Sequence, residues 1–153
     1  MIEKPQGYFE IGIYFPRTAE NVGTLWRSAY QLGAAGIFVI GPEPRRQPSD
    51  VVQAEKRIPM RHYTDFDAFL AARPRGAQLV GIEMGGTPLA EFSHPLRAVY
   101  LLGSESNGLP YEVMKKCDRL VEIESINYPS YNVAVSGSLV MYHRYLKSIV
   151  SSQ

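Results

Sequence analysis

The chain of 153 residues holds a single cysteine, Cys117, so no disulfide can form within it. It holds little net charge: 16 Lys and Arg stand against 15 Asp and Glu, a formal +1. That total is not the field by which a nucleic-acid binder usually announces itself. No apolar run approaches the ~20 residues that cross a bilayer. The opening residues, MIEKPQGYFEIG, lack the apolar core of a secretion signal, which sets the expectation of a cytoplasmic protein. His62, His94 and His143 are scattered without metal-ligand spacing, so no metal is expected. There is no phosphate-binding loop with its Lys-Ser/Thr pair. There is also no GxGxxG turn with an acid about twenty residues on, which argues against a Rossmann-type small-molecule enzyme. No serine sits in a recognisable nucleophile elbow, and Cys117 has no histidine nearby in sequence. Internal repeats, low-complexity segments and interdomain linkers are lacking too. One domain, 1–153, is therefore expected.

What is present is an alternation of short apolar runs with helical patterns. FEIGIYF (9–15), GIFVIG (36–41), QLVGIEM (78–84), RAVYLLG (97–103) and RLVEIES (119–125) read as strands, rich in β-branched and aromatic residues. Val22, Leu25, Trp26, Ala29 and Leu32 form a helical apolar stripe that Gly33 ends. Asp65 caps FDAFLAAR, and Pro110 fits the first turn of LPYEVMKKC. Ser49 or Asp50 can cap a short helix, and a last helix runs from about Asn132 to Ile149. This order predicts an α/β fold with a mostly parallel sheet and helices on both faces. Ligands of such sheets bind beyond the carboxyl ends of the strands. The segments to search are 16–22, 84–88, 103–109 and 125–132.

Three of these hold unusual polar clusters. In PRTAENVGTLWR, Asn21 is expected to cap the helix, Gly23 to admit a close neighbour, and Arg27 to lie beside the apolar stripe, where a buried guanidinium needs a partner. In LLGSESNGLP, Gly103 ends a buried strand, Glu105 follows, and Asn107-Gly108 is a turn dipeptide. In ESINYPSYNVAVSGSLVMY, Ser130 and Asn132 stand where the helix begins. From Val133 to Met141 that helix is apolar or small all round, which predicts enclosure by other chain, by a partner subunit, or by both.

Charge is uneven although its sum is small. Residues 45–75 hold seven basic side chains (Arg45, Arg46, Lys56, Arg57, Arg61, Arg73, Arg75) against four acidic ones (Asp50, Glu55, Asp65, Asp67). That is a local +3 on a body that otherwise sums to −2. Arg45, Arg46, Lys56, Arg57 and Arg61 are candidates for contact with the phosphates of a nucleic acid, and a solvated face is the alternative.

NVGTLWRSA, LLGSESNGLP and SYNVAVSGSL, in this order, resemble the three motifs of the SpoU/TrmH family of RNA ribose methyltransferases, of the knotted SPOUT class. The resemblance spans essentially the whole chain, and the length is similar to that of compact, TrmL-like members. It implies a deep C-terminal trefoil knot, against the general rule that chains do not thread loops. It implies S-adenosylmethionine as cofactor, with Ile82, Gly103, Ile123 and Ser130 lining its site. It implies transfer of a methyl group to a ribose 2′-hydroxyl of tRNA, or of rRNA. A homodimer is expected on other grounds: the first helix (Val22 to Leu32) and the last (Asn132 to Ile149) look too apolar to face water. Arg27, Asn21, Glu105, Ser130 and Asn132 are the residues the resemblance places at the methyl donor and the target ribose. Arg27 is either the proton acceptor or an anchor for phosphate and the developing alkoxide. A non-catalytic, knotted RNA-binding protein is the alternative from another class. Tyr131 stands where relatives carry an aliphatic residue, which bears on nucleotide preference.

Overall fold

A computed structural model describes residues 7–44 and 57–151. Arg45, Arg46 and Lys56, with the capping expected of Ser49 or Asp50, lie outside the described residues. Six strands, β1 (Tyr8–Tyr14), β2 (Ile37–Ile40), β3 (Met60–Tyr63), β4 (Gln78–Pro88), β5 (Arg97–Leu102) and β6 (Arg119–Glu122), form one sheet in the order β3-β2-β1-β5-β4-β6. Every pairing is parallel. The helices are α1 (Ala19–Gln31), α2 (Phe66–Ala72), α3 (Tyr111–Met114) and α4 (Val133–Ser151). Among these residues no helix is long and apolar enough to cross a membrane.

Strand alternation sorts the core into two layers. Phe9, Ile11 and Ile13 of β1, with Tyr100 and Leu102 of β5, meet Leu25, Trp26 and Ala29 of α1 and Val140 and Met141 of α4. On the other face Phe38, Ile40, Leu79, Val99 and Leu101 meet Phe69 of α2 and Val113 of α3. Helices thus cover both faces, as the alternation predicts. Leu25 is wholly buried, and burial of such a side chain contributes about 1.5–3 kcal/mol. Gly137 lets α4 approach α1: a Cβ there would stand 2.5 Å from Leu25 Cδ1. Ser138 Oγ donates to Ser28 Oγ across the same contact, at 2.8 Å.

Several expectations need correction. Arg27 is exposed on α1 and not buried, and the inward stripe is Val22, Leu25, Trp26 and Ala29. That stripe is used in this chain's own core. A Cβ on Gly23 would meet nothing within 4 Å, so no close neighbour in this chain requires that glycine. Within this chain the first half of α4 is covered on one side: Val133, Ala134, Gly137, Val140 and Met141 face inward, while Val135 and Leu139 are exposed, so the rest of the expected enclosure is left to a partner subunit. The polar edge strand MRHY was not legible as a strand; it forms by parallel pairing with β2.

GGTP, in the segment 84–88 expected to lie beyond a strand end, is the far part of β4. Val121 pairs with both Ile82 and Thr87, so residues 83–86 bulge away from the ladder between two paired stretches. That excursion forms one wall of the site.

Candidate active site at the carboxyl ends of the central strands

The loop after β1 starts at Phe15, whose φ of 52° lies in the left-handed region that a non-glycine residue rarely adopts. It ends at Thr18, which caps α1 by accepting the Asn21 N–H at 3.2 Å. The cap is therefore Thr18 and not Asn21. Relieved of that task, the Asn21 side chain points across to the next loop. Its Nδ2 donates to Glu105 Oε1 at 2.9 Å. The other carboxylate oxygen, Oε2, accepts the Arg17 backbone N–H at 2.9 Å. Both oxygens of Glu105 are thus held from one segment.

The segment 103–109 is held as tightly. Gly108 N–H donates to Ser104 O at 3.1 Å, and Asn107 N–H to Ser104 Oγ at 3.3 Å. A Cβ on Gly103 would lie 2.3 Å from the Gly108 carbonyl carbon and 2.5 Å from Leu109 N, so only glycine fits beneath this turn. Glu83, at the start of the β4 excursion, accepts Leu109 N–H on Oε2 at 2.7 Å and Met84 N–H on Oε1 at 2.9 Å. Sequence reasoning did not select Glu83; its signal was an acid near the end of an otherwise apolar strand, QLVGIEM.

Asn132 closes the arrangement. Its Oδ1 accepts Val135 N–H at 3.1 Å and its backbone oxygen accepts Ser136 N–H at 2.9 Å, so it caps α4. At the same time its Nδ2 donates to Asn21 Oδ1 at 3.1 Å. Capping and networking are both done by one amide. Asn132, Asn21, Glu105 and Arg17 form a continuous chain of hydrogen bonds over three loops.

These loops border a cleft of about 210 Å³. Ile82, Leu102, Ile123 and Val133 give it an apolar floor, and Gly103, Ser104, Ser130 and Tyr131 supply main-chain and hydroxyl groups. Of the residues selected from sequence, Ile82, Gly103, Ile123, Ser130 and Glu105 line it. Asn21 and Asn132 reach Glu105 as described. Arg27 is not among the lining residues. Among the described residues, the charged side chains of the lining are all acidic: Glu83, Glu105 and Glu122. Tyr131 lies in the wall and donates its hydroxyl to Glu124 O at 2.6 Å, which fixes its ring beside the cleft.

Elsewhere, burial pushes the Cys117 thiol up to about 11, with Asp118 adding to the effect, so the thiol stays protonated at neutral pH. Of the basic candidates, Arg57 is exposed, whereas Arg61 bonds Glu10 at 3.0 Å across the sheet. No group of three or more His, Cys, Asp or Glu able to hold a metal ion occurs among the described residues.

Residues 9–142 match the model of the SpoU rRNA Methylase family. An uncharacterized tRNA/rRNA methyltransferase of Mycobacterium bovis is 28% identical over 132 residues, 79% of this chain and 40% of that protein. One from Mycolicibacterium gilvum is likewise 28% identical, over 79% of this chain and 41% of its own length. The chain thus spans about 40% of the length of these relatives. Among solved structures, one concerned with the 2-OH methylation of C/U34 on tRNA has a TM-score of 0.84 and 26% identity, over 95% of this chain and 98% of that one. The A. aeolicus TrmH/SpoU tRNA modifying enzyme superposes with a TM-score of 0.83 at 16% identity, over 98% of this chain and 80% of that one. The SpoU methyltransferase AviRb of Streptomyces viridochromogenes, in complex with AdoMet, gives 0.81 at 24% identity, over 97% of this chain and 60% of that one.

Proposed function

The chain belongs to the SpoU methylase family, and from that premise we propose that it transfers a methyl group from S-adenosylmethionine to a ribose 2′-hydroxyl, with tRNA as the substrate. The observation that carries this is the Asn132–Asn21–Glu105 chain of hydrogen bonds at the mouth of the cleft. The solved relative concerned with 2-OH methylation on tRNA, similar over nearly its whole length, supports the choice of hydroxyl and of RNA class.

The cleft fits the cofactor. Ile82, Leu102, Ile123 and Val133 suit an adenine, and main-chain groups at Gly103 and Ser130 can read its edge. Three carboxylates and, among the described residues, no cation in the lining suit a molecule that carries a sulfonium and an ammonium. When bound, S-adenosylmethionine supplies an electrophilic methyl group for in-line displacement.

The protein's own work is placement. Glu105, with both oxygens anchored, and Asn21, fixed between Glu105 and Asn132, present rigid polar groups at one end of the cleft. They orient the attacking hydroxyl, and the Glu105 carboxylate takes its proton as the new C–O bond forms. Alignment of this kind lowers barriers by up to roughly 7–11 kcal/mol in ideal systems. Ser130, in the cleft wall, belongs to the same set. Arg27, exposed on α1, carries a guanidinium that stays charged at neutral pH. Because it does not reach the lining of the cleft, it is assigned to contact with an RNA phosphate in preference to proton acceptance. Arg57, with Arg45, Arg46 and Lys56, extends the phosphate contacts. Arg61, exposed but paired with Glu10, contributes less.

The same proposal includes a homodimer and the trefoil knot, with 1–153 as one catalytic domain. For the dimer, Val135, Leu139, Tyr142 and Leu146 line one face of α4 at intervals of four, three and four, exposed by 45%, 38%, 50% and 44%. For the knot, β6 lies at the sheet edge outside β4, and from there the chain returns to lay α4 against α1 and β5.

Ribose methylation mapped across the RNA of cells with and without the gene tests the function. Loss of one or more 2′-O-methyl sites in tRNA is expected. Unchanged ribose methylation, or a change confined to rRNA or to bases, overturns the corresponding part.

A further inference from the structure

The electrostatics of the cleft pose a problem for its RNA. Glu83, Glu105 and Glu122 line it, and among the described residues no Lys, Arg or His does. That set attracts the cofactor's positive charges and repels a phosphodiester, so a ribose cannot be seated there on shape alone. A cation must stand at the mouth. Arg27 does not reach the lining in this chain, and the basic segment near 57–61 lies at the sheet edge formed by β3.

One arginine does meet the requirement. Arg17 sits in the loop between β1 and α1 and is exposed. Its backbone N–H holds Glu105 Oε2 at 2.9 Å. Its Nη1 donates to Ser106 Oγ, and both Glu105 and Ser106 line the cleft. Among the described residues no carboxylate pairs with its guanidinium. That bond to a hydroxyl uses one of five N–H donors and leaves the other four of the planar fork on an exposed side chain tethered to Ser106 of the lining. Such a fork suits two oxygens of a phosphate.

We propose that Arg17 grips the backbone phosphate next to the target ribose and so offsets the acidic lining of the cleft. Ser106 sets the rotamer of the guanidinium, and the backbone bond to Glu105 ties the gripped phosphate to the group that orients the hydroxyl. This rests on the reading of the cleft as an RNA ribose methyltransferase site.

Arg17→Gln removes the charge yet keeps a donor for Ser106. Arg17→Lys keeps the charge without the fork. Ser106→Ala removes the bond and leaves the arginine. The probes are bulk tRNA and, separately, rRNA from cells lacking the gene, with labelled S-adenosylmethionine. Arg17→Gln is expected to raise the KM for RNA about tenfold, the effect of removing one charge-assisted hydrogen bond. The slope of log affinity against log salt becomes shallower by about 0.7–0.9. Cofactor affinity and thermal midpoint stay as in the wild type. Arg17→Lys recovers part of the affinity, and Ser106→Ala is impaired less than Arg17→Gln. An Arg17→Gln protein with unchanged KM and unchanged slope overturns the proposal. So does a Ser106→Ala protein that reproduces the whole defect, because Arg17 is then a staple between loops. If the wild type methylates no ribose, the reading of the reaction fails, and the salt slope still decides whether Arg17 holds phosphate.

Discussion

Asn132 Nδ2 donates to Asn21 Oδ1 at 3.1 Å although 111 positions separate them in the chain. The same Asn132 accepts Val135 N–H through its Oδ1. One side chain therefore performs a folding task with its oxygen and a site task with its nitrogen, and substitution can separate the two.

Asn132→Asp keeps an acceptor for the cap but loses the donor to Asn21, and it sets a carboxylate against Asn21 Oδ1. Methyl transfer is expected to fall at least tenfold with the thermal midpoint nearly unchanged. Asn132→Ala loses both functions, with a cost to stability of about 0.5–2 kcal/mol from the missing cap. Denaturation and single-turnover rates measured on both variants check this. An active Asn132→Asp protein would reduce Asn132 to its capping role.

Gly103→Ala acts by steric displacement. Its Cβ would fall within 2.6 Å of three backbone atoms of Gly108 and Leu109. Backbone cannot rotate aside, so the turn must move away from Glu83. A drop of about 1–3 kcal/mol in stability is expected, together with weakened S-adenosylmethionine binding in calorimetry. Wild-type affinity in this variant would show that Gly103 does not shape the cofactor site.

Acid should destabilise the fold through His94. Burial foremost, then the neighbouring His143 and the cations Arg144, Lys147 and Arg119, push its basicity down to about 3. Its ring nitrogens bond Tyr100 Oη and His143 Nδ1, each at 2.7 Å. The unfolded chain takes up a proton on this ring below about pH 6.5, while the folded chain stays neutral there until far lower pH. Stability is therefore present in full above about pH 6.5 and declines as pH falls, by at most about 1.4 kcal/mol per pH unit for this one group. Urea titrations between about pH 7.5 and 5 check the slope. His94→Gln should flatten it; an equal slope in the variant would assign the effect to other groups.

Leu139→Glu places a charge in the exposed apolar face of α4, between Val135 and Tyr142. If that face joins two subunits, sedimentation will show a monomer for the variant and a dimer for the parent. The fold of each chain should persist, because Leu139 does not belong to the inner layers. A parent monomeric at micromolar concentration would overturn the dimer.

Much of this protein was determined by short-range pattern. Alternation of side chains along β1 and β5, and the spacing of Val22, Leu25, Trp26 and Ala29, specify strands and an inward helical stripe because each depends only on near neighbours. Asp65 and Asn132 read as caps for the same reason, and the three loops could be singled out because parallel strands end on one side of a sheet. Tertiary structure alone decided the rest. Thr18 displaced Asn21 as the cap, which turned Asn21 toward Glu105, 84 positions away. Arg27 emerged on the exposed face of α1 because residue 26, and not 27, points to the sheet. Glu83 became an anchor only once β4 bulged between its two pairings with β6. Arg17 met Ser106 only when β1 and β5 lay side by side. A hydrogen bond reaches about 3 Å, and which residues come within it across a sheet is set by strand order and register, which no local pattern of residues encodes.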